Sequence, residues 1–197
     1  MSVTISLIAL NVLVSVVTLY AVPQLFNKFM LMPYRTVRQK TWYELVSSGF
    51  VHAGLGHLFL NMFVLYFFGL ALERDIGQEH FLTLYLTGLI VSSLPSLYKE
   101  KDNPEFATVG ASGAVEGVLF AFIFLYPLRP LCVMFIPIGI PAVIFGALFL
   151  AYSVYASRKE GRINHLAHIA GALWGLVYLI VFVPNSFDRF LTVFGLI

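Results

Sequence analysis

The chemistry this sequence could perform starts from a hydroxyl and an imidazole. Ser112 stands in Val109-Gly110-Ala111-Ser112-Gly113-Ala114, flanked by small residues at the start of an apolar stretch. A free serine hydroxyl is a poor nucleophile and needs a base within hydrogen-bonding reach. The candidate base is His168, in Asn164-His165-Leu166-Ala167-His168-Ile169-Ala170-Gly171. Gly171 and Gly175 follow it at three and seven positions, on or near its helix face, so a groove of small residues could bring its helix close to the one bearing Ser112. His57 and Asn61 are four apart, hence on one helix face, and both can donate hydrogen bonds sideways. Two convergent donors are what a developing oxyanion requires, where losing one typically costs ~10²–10³ in turnover. Each feature also has a plainer use. Small residues and polar side chains in membrane helices pack and glue those helices together, and His168 or His165 could simply bond a carbonyl.

These residues lie in a chain that water cannot cover. Hydrophobic residues make up 59% of the 197 positions and charged ones 11%, with a mean hydropathy of +0.88, so the bilayer is the expected solvent. A net charge of +2, without any segment that interleaves basic and aromatic residues, argues against nucleic acid as a partner. Cys132 is the single cysteine, so neither a disulfide framework nor a thiolate metal site can be built. The apolar run from Val3 has no basic segment before it and meets no charge until Lys28, which reads as a retained first span rather than a cleaved signal.

A spanning helix takes ~20 mostly apolar residues, and six stretches come close: Val3 to Val22, His57 to Leu72, Phe81 to Tyr98, Ala111 to Tyr126, Ile138 to Ala156 and Ala167 to Val183. The fold class expected is all-α, a polytopic six-helix bundle, with the second and fourth spans short. The connection from Pro23 to Gly56 is too apolar for a free loop and should pack at the membrane interface. Phe190, Leu191 and Phe194 have helical spacing, so the tail forms either a short interfacial helix or a frayed end. A strongly polar side chain at membrane depth costs about 2.5 to 3.5 kcal/mol, so His57, Asn61, Ser112, Glu116 and His168 each ask for a reason.

At these residues the sequence resembles the rhomboid intramembrane proteases. The matching pieces are Gly110-Ala111-Ser112-Gly113, Ala167-His168-Ile169-Ala170-Gly171 with Gly175, the run from His52 to Asn61, and Glu73 with Gly77 after the second span. The resemblance implies one transmembrane protease domain over residues 1–197, with Ser112 as nucleophile, His168 as base, and His57 and Asn61 at the oxyanion. It further implies transmembrane protein substrates with small or helix-breaking residues near a membrane boundary, cleaved in the lipid bilayer of a bacterial inner or plasma membrane. That chemistry needs no metal and no organic cofactor. Nothing in the sequence fixes an oligomeric state.

Three features depart from the family pattern. Glu116 replaces an aromatic that packs on the base; it could orient His168 as a third member of the site or be a protonated, hydrogen-bonded core acid. Glu44 stands where an arginine is usual, which puts the loop's ion pairing in question. The family's orientation would place Arg74, Arg129 and Arg189 on the cytoplasmic side and the other nine basic residues outside, opposite to the positive-inside tendency. Two other classes of function compete: a non-catalytic relative that binds transmembrane segments, and a metal or proton transporter built on His52, His57, His165 and His168. No H-E-x-x-H motif accompanies those histidines.

Overall fold

The first helix is turned inside out relative to a soluble one. A computed structural model describes residues 2–132, 139–159 and 163–196. In it α1 (Val3–Val16), continued by a π-helical turn over Val17–Ala21, buries Thr4, Asn11, Ser15 and Thr18 and exposes Leu10, Leu13 and Val16. Lipid satisfies apolar side chains but no polar group, so polar ones must find partners inside. Asn11 Nδ2 donates to the Leu7 carbonyl at 2.8 Å and to the Tyr85 hydroxyl at 3.1 Å.

Three short helices fill the connection that follows: α2 (Pro23–Phe29), α3 (Pro33–Gln39) and α4 (Glu44–Ser47). The first two open on a proline, whose fixed φ and missing N–H suit the first helical position. Glu44 is fully buried and accepts from Arg35 Nε at 2.7 Å, Thr36 Oγ1 at 2.8 Å and the Met32 amide at 3.0 Å. The loop therefore does hold an ion pair, with the acid at position 44 and the guanidinium supplied by Arg35.

α5 (Leu55–Val64) passes through a π-helical turn at Leu65–Gly69 into α6 (Leu70–Lys99), and Gly77, at φ 81°, breaks α6 into two legs. The second and third expected spans lie in the run Leu55–Lys99, one on each side of this break. Just before the break, Glu73 accepts from the Val3 and Thr4 amides, both at 2.8 Å, and from the Ser2 and Thr4 hydroxyls at 2.7 and 2.6 Å. A carboxylate on the free amides of a helix start satisfies orphan donors and opposes the helix dipole.

Apart from Ser112 and Glu116, α7 (Ser112–Leu125) is apolar, and it is buried along almost its whole length, the signature of a central helix. Beyond it, β1 (Pro130–Cys132) pairs antiparallel with β2 (Gly139–Pro141), a small hairpin absent from the all-α expectation. Two prolines face each other at one end of this pairing, Pro130 opposite Pro141, and each removes a helix donor. The fifth helix thus starts late, as α8 (Ala142–Ala156); Ile138, its expected start, lies outside the described residues. α9 (His165–Phe182) and α10 (Ser186–Val193) complete the chain, and the tail is helical, with Phe190 stacked on Phe124 at 4.7 Å between ring centres. Among the described residues, three helical runs are long and apolar enough to cross a membrane, Val3–Ala21, Leu55–Lys99 and His165–Phe182, with α7 and α8 as shorter apolar helices between them. The protein is a multi-pass membrane helical bundle.

α7 and α9 meet backbone to backbone. A Cβ on Gly171 would run into the Gly113 carbonyl, and one on Gly175 into the Gly117 carbonyl. Both partners repeat at four residues, so the contact is in register on the two helices. Gly171→Val should therefore destabilise the protein by about 3 kcal/mol or more, because backbone cannot yield as a flexible side chain can. Gly56, also helical but with open space around its Cα, supplies the control: Gly56→Ala should be neutral or slightly stabilising. Unfolding curves in detergent for the two variants check both.

Candidate active site

Ser112 opens α7, and its placement follows from the length of that helix. Fourteen residues at a rise of about 1.5 Å span about 21 Å, short of a hydrocarbon layer about 30 Å thick. At the far end of α7, Tyr126 donates to Asp75 Oδ2 at 2.7 Å, and Arg129 lies over the Tyr126 ring at 5.7 Å. A polar cluster of this kind suits a membrane interface, which would leave the shortfall at the opposite, Ser112 end of the helix.

α9 brings the imidazole to it. Ser112 Oγ and His168 Nε2 are 2.8 Å apart, the geometry in which the hydroxyl donates to a ring nitrogen whose proton sits on Nδ1. The glycine contact described above makes this reach possible, since His168 lies one turn before Gly171 and Ser112 immediately before Gly113. Asn164 fixes the start of α9: its Oδ1 accepts from the Ala167 amide at 3.2 Å, and its Nδ2 donates to Ser96 Oγ at 2.7 Å. Phe149 of α8 lies nearly parallel to the His168 ring, 6.4 Å between centres and 17° between planes. The aromatic expected one turn after Ser112 is thus supplied from another helix. Neither Asn164 nor Phe149 stood out in the sequence, although the Asn one residue before a helical run was a readable N-cap signal.

His57 and Asn61 line the same cavity of about 560 Å³ as Ser112, His168 and Glu116. Gly110, at φ 116°, has no side chain, and the His57 ring occupies the space where one would stand. Any other residue there would be strained in its backbone and would collide with that ring. Asn61 Nδ2 donates to the His57 carbonyl at 2.9 Å, so one of its hydrogens is held within the helix and the other is left for the cavity. The four predicted site residues are therefore brought to one cavity.

His52, just before α5, ties the first helix to the segment leading into Ser112. Its Nδ1 is 2.9 Å from Ser15 Oγ, and its Nε2 accepts from the Ala111 amide at 3.4 Å. An acceptor Nε2 places the ring proton on Nδ1, which donates to Ser15, and Ser15 in turn donates to the Phe50 carbonyl at 3.1 Å. The histidines of the transport alternative are arranged as two edge-to-face pairs, His52 with His57 and His165 with His168, at 5.1 and 5.9 Å between centres. Among the described residues no three His, Cys, Asp or Glu side chains form a group able to hold a metal ion.

Burial, and then the neighbouring His57, push the His52 imidazole down to about 3 from its ordinary 6.5. Between those limits the unfolded chain binds a proton that the folded chain refuses, so this contribution is complete above the upper value and is lost as pH falls through the window. Thermal stability in detergent should drop between about pH 7 and about pH 4. His52→Gln, which cannot take up that proton, should show a shallower loss over the same range; equal slopes would contradict the assignment.

The rhomboid domain family model matches residues 39–185. The chain is 30% identical over 180 residues, 86% of its length, to the yeast "Rhomboid protein 1, mitochondrial" of Saccharomyces cerevisiae. It is 30% identical over 68% of its length to the "Presenilin-associated rhomboid-like protein, mitochondrial" of Rattus norvegicus. A Bacillus subtilis protein provisionally named a rhomboid protease is 28% identical over 76% of the chain. The chain spans 50% of the yeast relative, 37% of the rat one and 71% of the Bacillus one. With that match across most of its length, and with Gly113 and Gly117 locked against Gly171 and Gly175 beneath a serine and a histidine in contact, the chain belongs to the rhomboid family.

Proposed function

We propose that this protein is an intramembrane serine endopeptidase that cleaves transmembrane substrates within the bilayer through a Ser112–His168 dyad. The observation that carries the reading is the 2.8 Å contact between Ser112 Oγ and His168 Nε2 in a cavity of about 560 Å³ enclosed by apolar helices. His168 takes the hydroxyl proton as Ser112 attacks the scissile carbonyl. The developing oxyanion is met by the Ser112 amide, free at the first position of α7, with His57 and Asn61 as side-chain donors. His168 then returns its proton to the leaving amine, and a water entering the cavity hydrolyses the acyl enzyme with the same imidazole as base. The carbonyl of a helical substrate is occupied by its own hydrogen bond, so the segment presented to Ser112 has to be unwound.

The membrane in which this takes place follows from the relatives only in part. The yeast and rat proteins are named as mitochondrial, so the expectation of a bacterial inner or plasma membrane is not supported by them.

A fluorophosphonate probe and a single-span substrate test the proposal in detergent and in liposomes. Wild type should label and cut, Ser112→Ala should lose both, and His168→Ala should cut about 10²–10⁴-fold more slowly. A folded wild type that neither labels nor cuts but retains the single-span substrate would instead establish the non-catalytic binder.

A further inference from the structure

Among the described residues, one carboxyl in the cavity wall has a buried oxygen without a hydrogen-bond partner. Glu116 follows Ser112 by four residues on α7, so it lies on the same face one turn deeper, and it lines the cavity together with His57, Asn61 and His168. Its Oε2 is buried without a hydrogen-bond donor. Among the described residues no hydrogen bond joins it to His168, whose Nε2 faces Ser112. Among the described residues this oxygen bonds neither the imidazole nor a core donor, the two partners considered from the sequence. Leu60, Val64 and Val115 line the same cavity.

A buried acceptor without a donor bears its full desolvation cost, and in a native fold such a group calls for a partner. The cavity is where a substrate segment would lie, and the segment must be unwound there. On the protease reading, we propose that Glu116 is a specificity-determining residue, accepting a hydrogen bond from a donor side chain of the substrate, such as asparagine, serine or lysine, seated one turn deeper along α7 than the scissile bond. A substrate carrying leucine at that place leaves the carboxyl orphaned. A site built to bond a polar group rejects the analogue lacking it far more strongly than an apolar pocket rejects a missing methylene.

The test uses the full chain in liposomes and a single-span substrate in which each residue within a turn of the cut is replaced by leucine, serine, asparagine or lysine. At one position on the deeper side, wild type should prefer the donor-bearing substrates in kcat/KM by about tenfold or more over the leucine substrate. Glu116→Leu should collapse that preference to near unity at that position alone. Glu116→Gln, which keeps shape and an acceptor oxygen, should retain the preference for asparagine and serine and lose most of that for lysine. Three results overturn the assignment: an unchanged preference profile in Glu116→Leu; a parallel fall for every substrate, which indicates a role in the dyad or in folding; or loss of fluorophosphonate labelling in both variants. Failure of wild type itself to label or cut defeats the protease reading instead, so the two failures are distinguishable.

Discussion

The close approach of α7 and α9 is the constraint on which the rest of this structure depends. Two glycines on each helix, spaced four apart, remove the side chains that would hold the helices at an ordinary distance. Register follows from that contact, since the pairs lock only when Gly113 faces Gly171 and Gly117 faces Gly175. With the register set, the hydroxyl beside Gly113 and the imidazole one turn before Gly171 have little choice but to meet. Lipid gives no hydrophobic drive for two apolar helices to associate, so tight van der Waals contact and a buried polar pair must supply it. In this fold the same contact holds the bundle together and sets the geometry of the proposed chemistry.

The remaining elements serve that pair from several directions. α8 brings Phe149 against the face of His168, while α1 braces the residue before Ser112 through Ser15, His52 and the Ala111 amide. The side-chain bonds of Asn164 fix the first turn of α9. A base with soft rotamers is thereby confined by packing and by neighbours that are themselves bonded, which is how a site becomes preorganised without strain in the reacting groups. Glu44 works in the same manner for the interfacial loop, drawing Arg35, Thr36 and the Met32 amide onto one carboxylate.

Much of this was legible in the sequence because the bilayer makes misplaced polarity expensive. Ser112, His168, His57 and Asn61 stood out as polar residues in apolar runs, and Gly171 with Gly175 announced a close helix contact. The family resemblance then ordered the spans. What could not be read were pairings made between distant elements. Nothing in the local pattern links Phe149 to His168, Ser15 to His52 or Arg35 to Glu44, because helical periodicity says which face a residue takes and not which helix that face will meet. The hairpin Pro130–Cys132 with Gly139–Pro141 was missed for a different reason. Its residues are as apolar as a span, and only the position of the prolines argued against continuing a helix.

Glu73 holds a further lesson about where the working unit begins. The family match starts at residue 39, yet the carboxylate of Glu73 is closed over Ser2, Val3 and Thr4, and Ser15 anchors the histidine that braces the approach to Ser112. A fragment trimmed to the matched stretch would keep all four cavity residues and still be mutilated. It would strip an acid of every donor around it and leave a lipid-facing seam along the second and third spans, so the boundaries of a recognisable domain and those of its physical integrity do not coincide.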